Sequence, residues 1–335
     1  MKPELRSASL AAIALALAIF VGFAGLLTGA KPMTLPAALA AVLSPNHGLD
    51  GVIVWTLRLP RSIAAFLTGA GLAVSGALLQ SITRNPLAAP DLTGVTAGAV
   101  TVIVSCFVFL PAISSIYYPP IGFAGGLAAA AACLWVARGG QASPLHLALG
   151  GITISLFLGG ITTYVLLLGG PQSSSVLFWL SGGLQGRSWG HVAFMLPWVS
   201  MGIIGALLSH RIIALLKLGD GVAAGMGVRL GQWKLLLLLF AVAPIAGITP
   251  VAGPIAFIGL AVPHLVRLMK PAGEAWSIAL NLAFGGLILV LADVLARTIA
   301  APRELPISIL TALIGGPFFI YLVQRRSFVT AGAGP

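Results

Sequence analysis

Few residues in this sequence could do chemistry, and most of those that could are arginines. Arg58 and Arg61 frame Arg58-Leu59-Pro60-Arg61 at the head of a long apolar run. Arg297 closes another such run, four residues after Asp293, with Arg303 and Glu304 just beyond. Cations placed like this have three possible uses. They can be snorkelling interface anchors, they can pair within the chain with Asp50, Asp293 or Glu304, or they can form a docking surface for an acidic partner. An exposed ion pair contributes only ~0.2–1 kcal/mol, but complementary charge fixes register and speeds encounter. That suits a partner that must arrive, unload and leave. The residues alone leave the three readings open.

A second candidate is the stretch Leu218–Val228, too short and polar to cross a membrane and flanked by Lys217 and Arg229. Its small residues and terminal Gly227 predict a short surface helix, either an inert connection or a face pressed against a soluble engine. Other chemistries find no support. No G-x-x-x-x-G-K-[ST] occurs, so the sequence carries no P-loop for nucleotide. The histidines (His47, His146, His191, His210 and His264) are dispersed, without ligand-like spacing among themselves or with Cys106 and Cys133. No metal site, no catalytic residue and no Ser/His/Asp or Cys/His set is predicted. Asp293 is the one acid well inside an apolar run, and its spacing to Arg297 predicts a helix-end ion pair rather than a proton relay.

The elements that must position these residues follow from composition. Hydrophobic residues are 59% of 335 and charged residues 7%, against roughly 25% charged in a soluble domain. Mean hydropathy is +1.06. Lipid must be the solvent for most of the chain, and long uninterrupted runs such as Leu10–Leu27 and Leu235–Val242 exclude the alternating pattern of a β-barrel. The net charge of +11 is spread singly between apolar runs, so no nucleic-acid partner is expected. Apolar stretches lie near 8–30, 60–82, 92–112, 118–137, 143–168, 191–210, 251–269, 276–297 and 305–324. The first exceeds a secretory-signal core and is read as a span. Region 235–249, interrupted by Pro244 and running into Pro250, is either a span of its own or part of a broken one with 251–269.

Charge arbitrates the count. Ten spans with both ends cytoplasmic put 12 of the 18 Lys and Arg residues inside and 6 outside; nine spans give 10 and 8. The positive-inside rule favours ten. The expected architecture is an all-α polytopic membrane protein, residues 1–335 forming a single transmembrane domain with a cytoplasmic loop at about 211–234. Arg58, Arg61, Arg297 and Arg303 then fall outside, against the prevailing bias. Glycines such as Gly69, Gly71, Gly76, Gly150, Gly151, Gly159 and Gly160 suit close helix packing or a conduit lining.

Ordered motifs along nearly the whole chain resemble the FecCD family of ABC importer permeases, which serve iron–siderophore, haem and vitamin B12 uptake. They are Arg58-Leu59-Pro60-Arg61, Gly76-Ala77-Leu78-Leu79-Gln80, Asn85-Pro86-Leu87-Ala88, Leu218–Val228, Val251–Leu260 and Val262-Pro263-His264-Leu265-Val266-Arg267. Ala292-Asp293 through Arg297, Glu304-Leu305-Pro306 and Thr311–Phe318 follow. The resemblance implies a permease pair, as a homodimer or from two related chains, in the bacterial inner membrane. Two separate ATP-binding subunits would lie below it, carrying ATP and Mg so that this chain holds no cofactor. An extracytoplasmic solute-binding protein would dock above. It implies that Arg58, Arg61 and Arg297 meet glutamates of that protein, and that Gly219, Asp220, Ala223, Met226, Gly227 and Val228 belong to the coupling helices. Here Gly225-Met226-Gly227 is more flexible than the usual leucine-bearing version. The turn around Ser143-Pro144 resembles the inner gate region.

Pro90–Val95 and Trp179–Trp189 look most like ferric-siderophore permeases, with haem or vitamin B12 as alternative cargoes. With no metal ligands in the spans, iron must travel already chelated. An ion-gradient-driven secondary transporter is the alternative from another class, and it calls for intramembrane carboxylates on several spans, which are lacking.

Overall fold

The computed structural model describes residues 2–29, 31–44, 48–138, 144–170, 173–300 and 303–324, and among them every regular element is helical. In chain order these are α1 (Pro3–Leu27), α2 (Leu35–Leu43), α3 (Gly48–Val52), α4 (Leu59–Thr83), α5 (Val95–Phe109), α6 (Tyr118–Arg138), α7 (Pro144–Leu168) and α8 (Ser173–Leu180). They continue with α9 (Trp189–Leu208), α10 (His210–Lys217), α11 (Asp220–Gly225), α12 (Leu230–Ala252), α13 (Ile258–Leu268), α14 (Glu274–Thr298) and α15 (Ile307–Gln324). A π-helical turn, Ile53–Arg58, joins α3 to α4.

Each apolar segment expected from the sequence carries a helix. Among the described residues, seven helices are long and apolar enough to cross a membrane, while α5, α13 and the apolar part of α15 are shorter. The question over 235–249 is resolved by α12, one continuous helix with Pro244 and Pro250 inside it. The break comes later, where Gly253 leaves the helical region and Phe257 takes a left-handed φ of 70°. The expected loop at 211–234 is likewise largely helical, holding most of α10, all of α11 and the start of α12.

The hub is α4. In its most apolar window 78% of residues are buried, against 17% for α7, and it packs on α14, α12, α13 and α9. Helices in lipid gain no hydrophobic driving force from meeting, so close backbone approach must supply the attraction. On α4, Gly69 lies against the Gly285 carbonyl of α14 and Gly76 against the Gly259 carbonyl of α13, with no room for a β-carbon at either. The packing reading of the glycines therefore holds for α4. It does not hold for Gly159 and Gly160 of α7, which face open space. Around them α7 exposes Leu156, Phe157, Tyr164 and Leu167, a surface suited to lipid or to another apolar helix.

This contrast sets a test. Gly76→Val should destabilise the detergent-solubilised protein by at least the ~1–3 kcal/mol of ordinary overpacking. Gly160→Ala should leave its thermal midpoint unchanged; equal effects at the two positions would contradict the packing.

Candidate functional site: charged clusters at the two ends of α4

The N-terminal end of α4 gathers the arginines. Pro60 has no N–H to donate and its ring crowds the preceding turn. The wider π-helical turn Ile53–Arg58 precedes it and brings Arg58 and Arg61 to one side. Around them stand the last turn of α1, the end of α14 and the strap before α15.

Arg58, Arg61 and Arg297 are not surface residues here: they are 7%, 7% and 4% exposed. Arg58 donates to the Leu26 carbonyl and to Lys31 O at 2.5 Å, and Arg297 donates to Gly25 O at 3.3 Å. The last carbonyls of α1 have no partners within their own helix and α1 carries no basic residue in its last turn. Two arginines from elsewhere in the chain supply the missing donors and complement the helix dipole.

Arg61 spans the acids, donating from Nε to Asp293 Oδ1 and from Nη1 to Glu304 Oε2, both at 2.8 Å. The expected Asp293–Arg297 pair also forms, Nη2 to Oδ2 at 3.2 Å, although its alignment misses a hydrogen bond and leaves both atoms without one. Arg61 Nη2 and Arg297 Nε are likewise buried without a partner. Three guanidinium groups thus face two carboxylates, leaving one positive charge over and several idle donors. All three arginines, with Lys31, Gly186 and Glu304, line one cavity of about 280 Å³. Of the three sequence readings, intramolecular pairing with Asp293 and Glu304 is observed. Asp50 instead pairs with Lys31 at 2.5 Å. Any acidic partner must reach the arginines through the cavity mouth. Beside it Arg187 lines a second cavity, of about 320 Å³, with Tyr118, Phe178 and Trp179. Burial lowers the pKa of its guanidinium.

The other end of α4, about 37 Å away at 1.5 Å per residue, holds the second cluster. Asp220 opens α11 and takes Lys234 Nζ at 2.7 Å and Arg84 Nη2 at 3.2 Å, fastening α11 to α12 and α4. Gly219 and Gly227 bracket the segment at φ of 118° and 86°. The segment has two faces. Ala223 and Val228 turn inward onto Ile213 and Leu216, whereas Leu218, Val222 and Met226 are exposed at 66%, 50% and 64%. Leu218, Val222 and Met226 thus form an exposed apolar face beside the Asp220 salt bridges. Helical spacing from Met226 could have found Val222 in the sequence. Of the gate pair, Ser143 lies outside the described residues and Pro144 opens α7. Among the described residues no group of His, Cys, Asp and Glu could hold a metal ion.

A profile of the FecCD transport family matches residues 16–325. The Fe(3+)-citrate import system permease protein YfmD of Bacillus subtilis is 38% identical over 315 residues, 93% of each chain. The ferric enterobactin transport system permease protein FepD of Escherichia coli is 36% identical, covering 90% of this chain and 91% of its own. A structure solved as an inward-facing conformation of a transporter assigned to the metal-chelate ABC type superposes with a TM-score of 0.80. It covers 95% of this chain and 99% of that one, at 26% identity.

The arginine cluster makes its own prediction. Asp293→Asn leaves two buried guanidinium groups short of a counter-charge and should cost about 3–5 kcal/mol, read as a lower thermal midpoint. Adding Arg61→Gln removes one orphaned cation and should recover part of the loss; no recovery would contradict the pairing.

Proposed function

The chain belongs to the FecCD transport family, and from that premise we propose how it works within an ATP-driven importer. It is the membrane permease of an ABC importer for iron chelates of the siderophore or ferric-citrate type, as its relatives at 36–38% identity are. Haem and vitamin B12 are the less favoured cargoes. It is not itself an enzyme; ATP hydrolysis belongs to a separate pair of ATP-binding subunits. The observation that carries the reading is the pair of clusters at opposite ends of one buried helix, a cationic cleft at one end and an apolar-faced α11 at the other.

The proposed topology has ten crossings with both termini cytoplasmic in the bacterial inner membrane, the three short apolar helices included. The arginine end then faces outward and receives an acidic surface of a solute-binding protein through the cleft of Arg58, Arg61 and Arg297. The opposite end carries the coupling segment, Gly219, Asp220, Ala223, Met226, Gly227 and Val228, against the ATPase. Gly219 and Gly227 would let the segment bend, Asp220 would tie it to α4 and α12, and Met226 with Val222 would fill a groove on the partner. The apolar face of α7 suits a second copy of the permease, with the inner gate at Ser143 and Pro144 and alternating access powered from the ATPase side.

Two variants test the two ends separately. Arg58→Gln spares the Arg61–Asp293 pair, so it should weaken docking of the solute-binding protein in a salt-sensitive manner; unchanged docking sinks the outer assignment. Val222→Glu with Met226→Glu places charge on the apolar face and should abolish copurification of the ATPase without reducing the amount of folded permease. Normal copurification sinks the inner one.

A further inference from the structure

The two acids of the arginine cleft are not equivalent. Asp293 is 1% exposed and touches two arginines. Glu304 has 34% of its side chain exposed, lines the cavity and, among the described residues, is ion-paired with Arg61 alone, through Nη1. Donors that neither acid satisfies remain beside it, Arg61 Nη2 among them. A carboxylate entering the cleft therefore meets Glu304, the acid that lines the cavity and holds Nη1 of Arg61.

We propose that Glu304 is a resident stand-in for the partner's carboxylate, holding Arg61 in the free permease and exchanged for an acidic side chain of the solute-binding protein on docking. This rests on the docking reading above. Charge-for-charge exchange has a physical advantage, because Arg61 keeps Asp293 throughout and its Nη1 donor is never left without an acceptor, which would be costly at a buried site. It also keeps docking reversible, since Glu304 stays tethered nearby to reclaim its site. The exchange would be felt beyond the cleft. Glu304 sits on the strap from α14 into α15, where Leu305 N–H donates to Ala296 O at 3.1 Å. Ser308, at the start of α15, donates to the Ser181 carbonyl of the turn after α8. Releasing Glu304 loosens the strap joining these elements, so occupancy of the cleft is reported to α15 and α8.

The test uses the full-length permease in lipid nanodiscs and the solute-binding protein that serves it, with association followed by interferometry at low and high salt. Glu304→Gln removes the competitor at nearly constant shape. It should speed association and tighten docking about two- to fivefold at low salt, with the gain fading as salt screens it. A general increase in positive charge would help in any background, so the decisive arm is Glu304→Gln in an Arg61→Gln chain, where exchange predicts no gain. Glu304→Asp, which keeps the charge and guards against misfolding, should gain less than Glu304→Gln. Docking unchanged or weakened by Glu304→Gln, or a gain that survives without Arg61, overturns the exchange. If Arg58→Gln and Arg61→Gln both dock like the unaltered chain, the docking reading itself fails. If they weaken docking while Glu304→Gln does not tighten it, only the exchange fails.

Discussion

Arg61 and Asp293 meet at 2.8 Å with 8% and 1% of their side chains exposed, and much of the outer architecture turns on that contact. Removing either charge from water is costly, and the attraction compensates only when geometry is good and further hydrogen bonds are made. The constraint binds α4, the hub of the bundle, to α14, and through Arg297 and Glu304 it reaches α1 and the strap into α15. A purely apolar contact could slide along the helix axis; this one fixes the axial register of α4 against α14. The same register seats Gly69 against the Gly285 carbonyl. The glycine contact and the ion pair therefore support each other.

On the proposed docking, the pair lets one end of the protein be both structural and receptive. A cluster with equal charges would be closed to partners. Here the third arginine leaves the cleft one charge short, a state that is tolerable because α1 carbonyls share Arg58 and Arg297. At the far end the logic differs. Asp220 satisfies a lysine and an arginine while Leu218, Val222 and Met226 remain uncovered, so the proposed contact with the ATPase would draw its affinity from apolar burial rather than charge.

The class, the helices and the two charged ends of α4 were legible in the sequence, because apolar runs of spanning length and misplaced charges are strong local signals; what those ends do came only from the family resemblance. The Asp293–Arg297 pair was legible too, from its four-residue spacing. Other features depended on contacts far apart in the chain. Pairing with Asp293 or Glu304 was one of three readings of the arginines, but nothing local selects it for Arg61 across more than 230 positions or reveals that the three arginines are buried. The continuity of α12 was obscured by Pro244 and Pro250, which a bundle can tolerate when neighbouring groups satisfy the freed carbonyls. Within Leu218–Val228 the composition suggested a surface helix, but only the packing of Ala223 onto Ile213 and Leu216 separates its inner face from its outer one.

In the proposed function, transport by this permease is inward and driven by ATP on the cytoplasmic side. The most direct measurement places the permease in liposomes with its ATP-binding subunits inside and its solute-binding protein outside, loaded with radiolabelled ferric chelate. Uptake of iron and chelator together that requires internal ATP, requires the binding protein and persists when ion gradients are collapsed is the predicted result. Uptake that ignores ATP and follows an imposed proton or sodium gradient would contradict it.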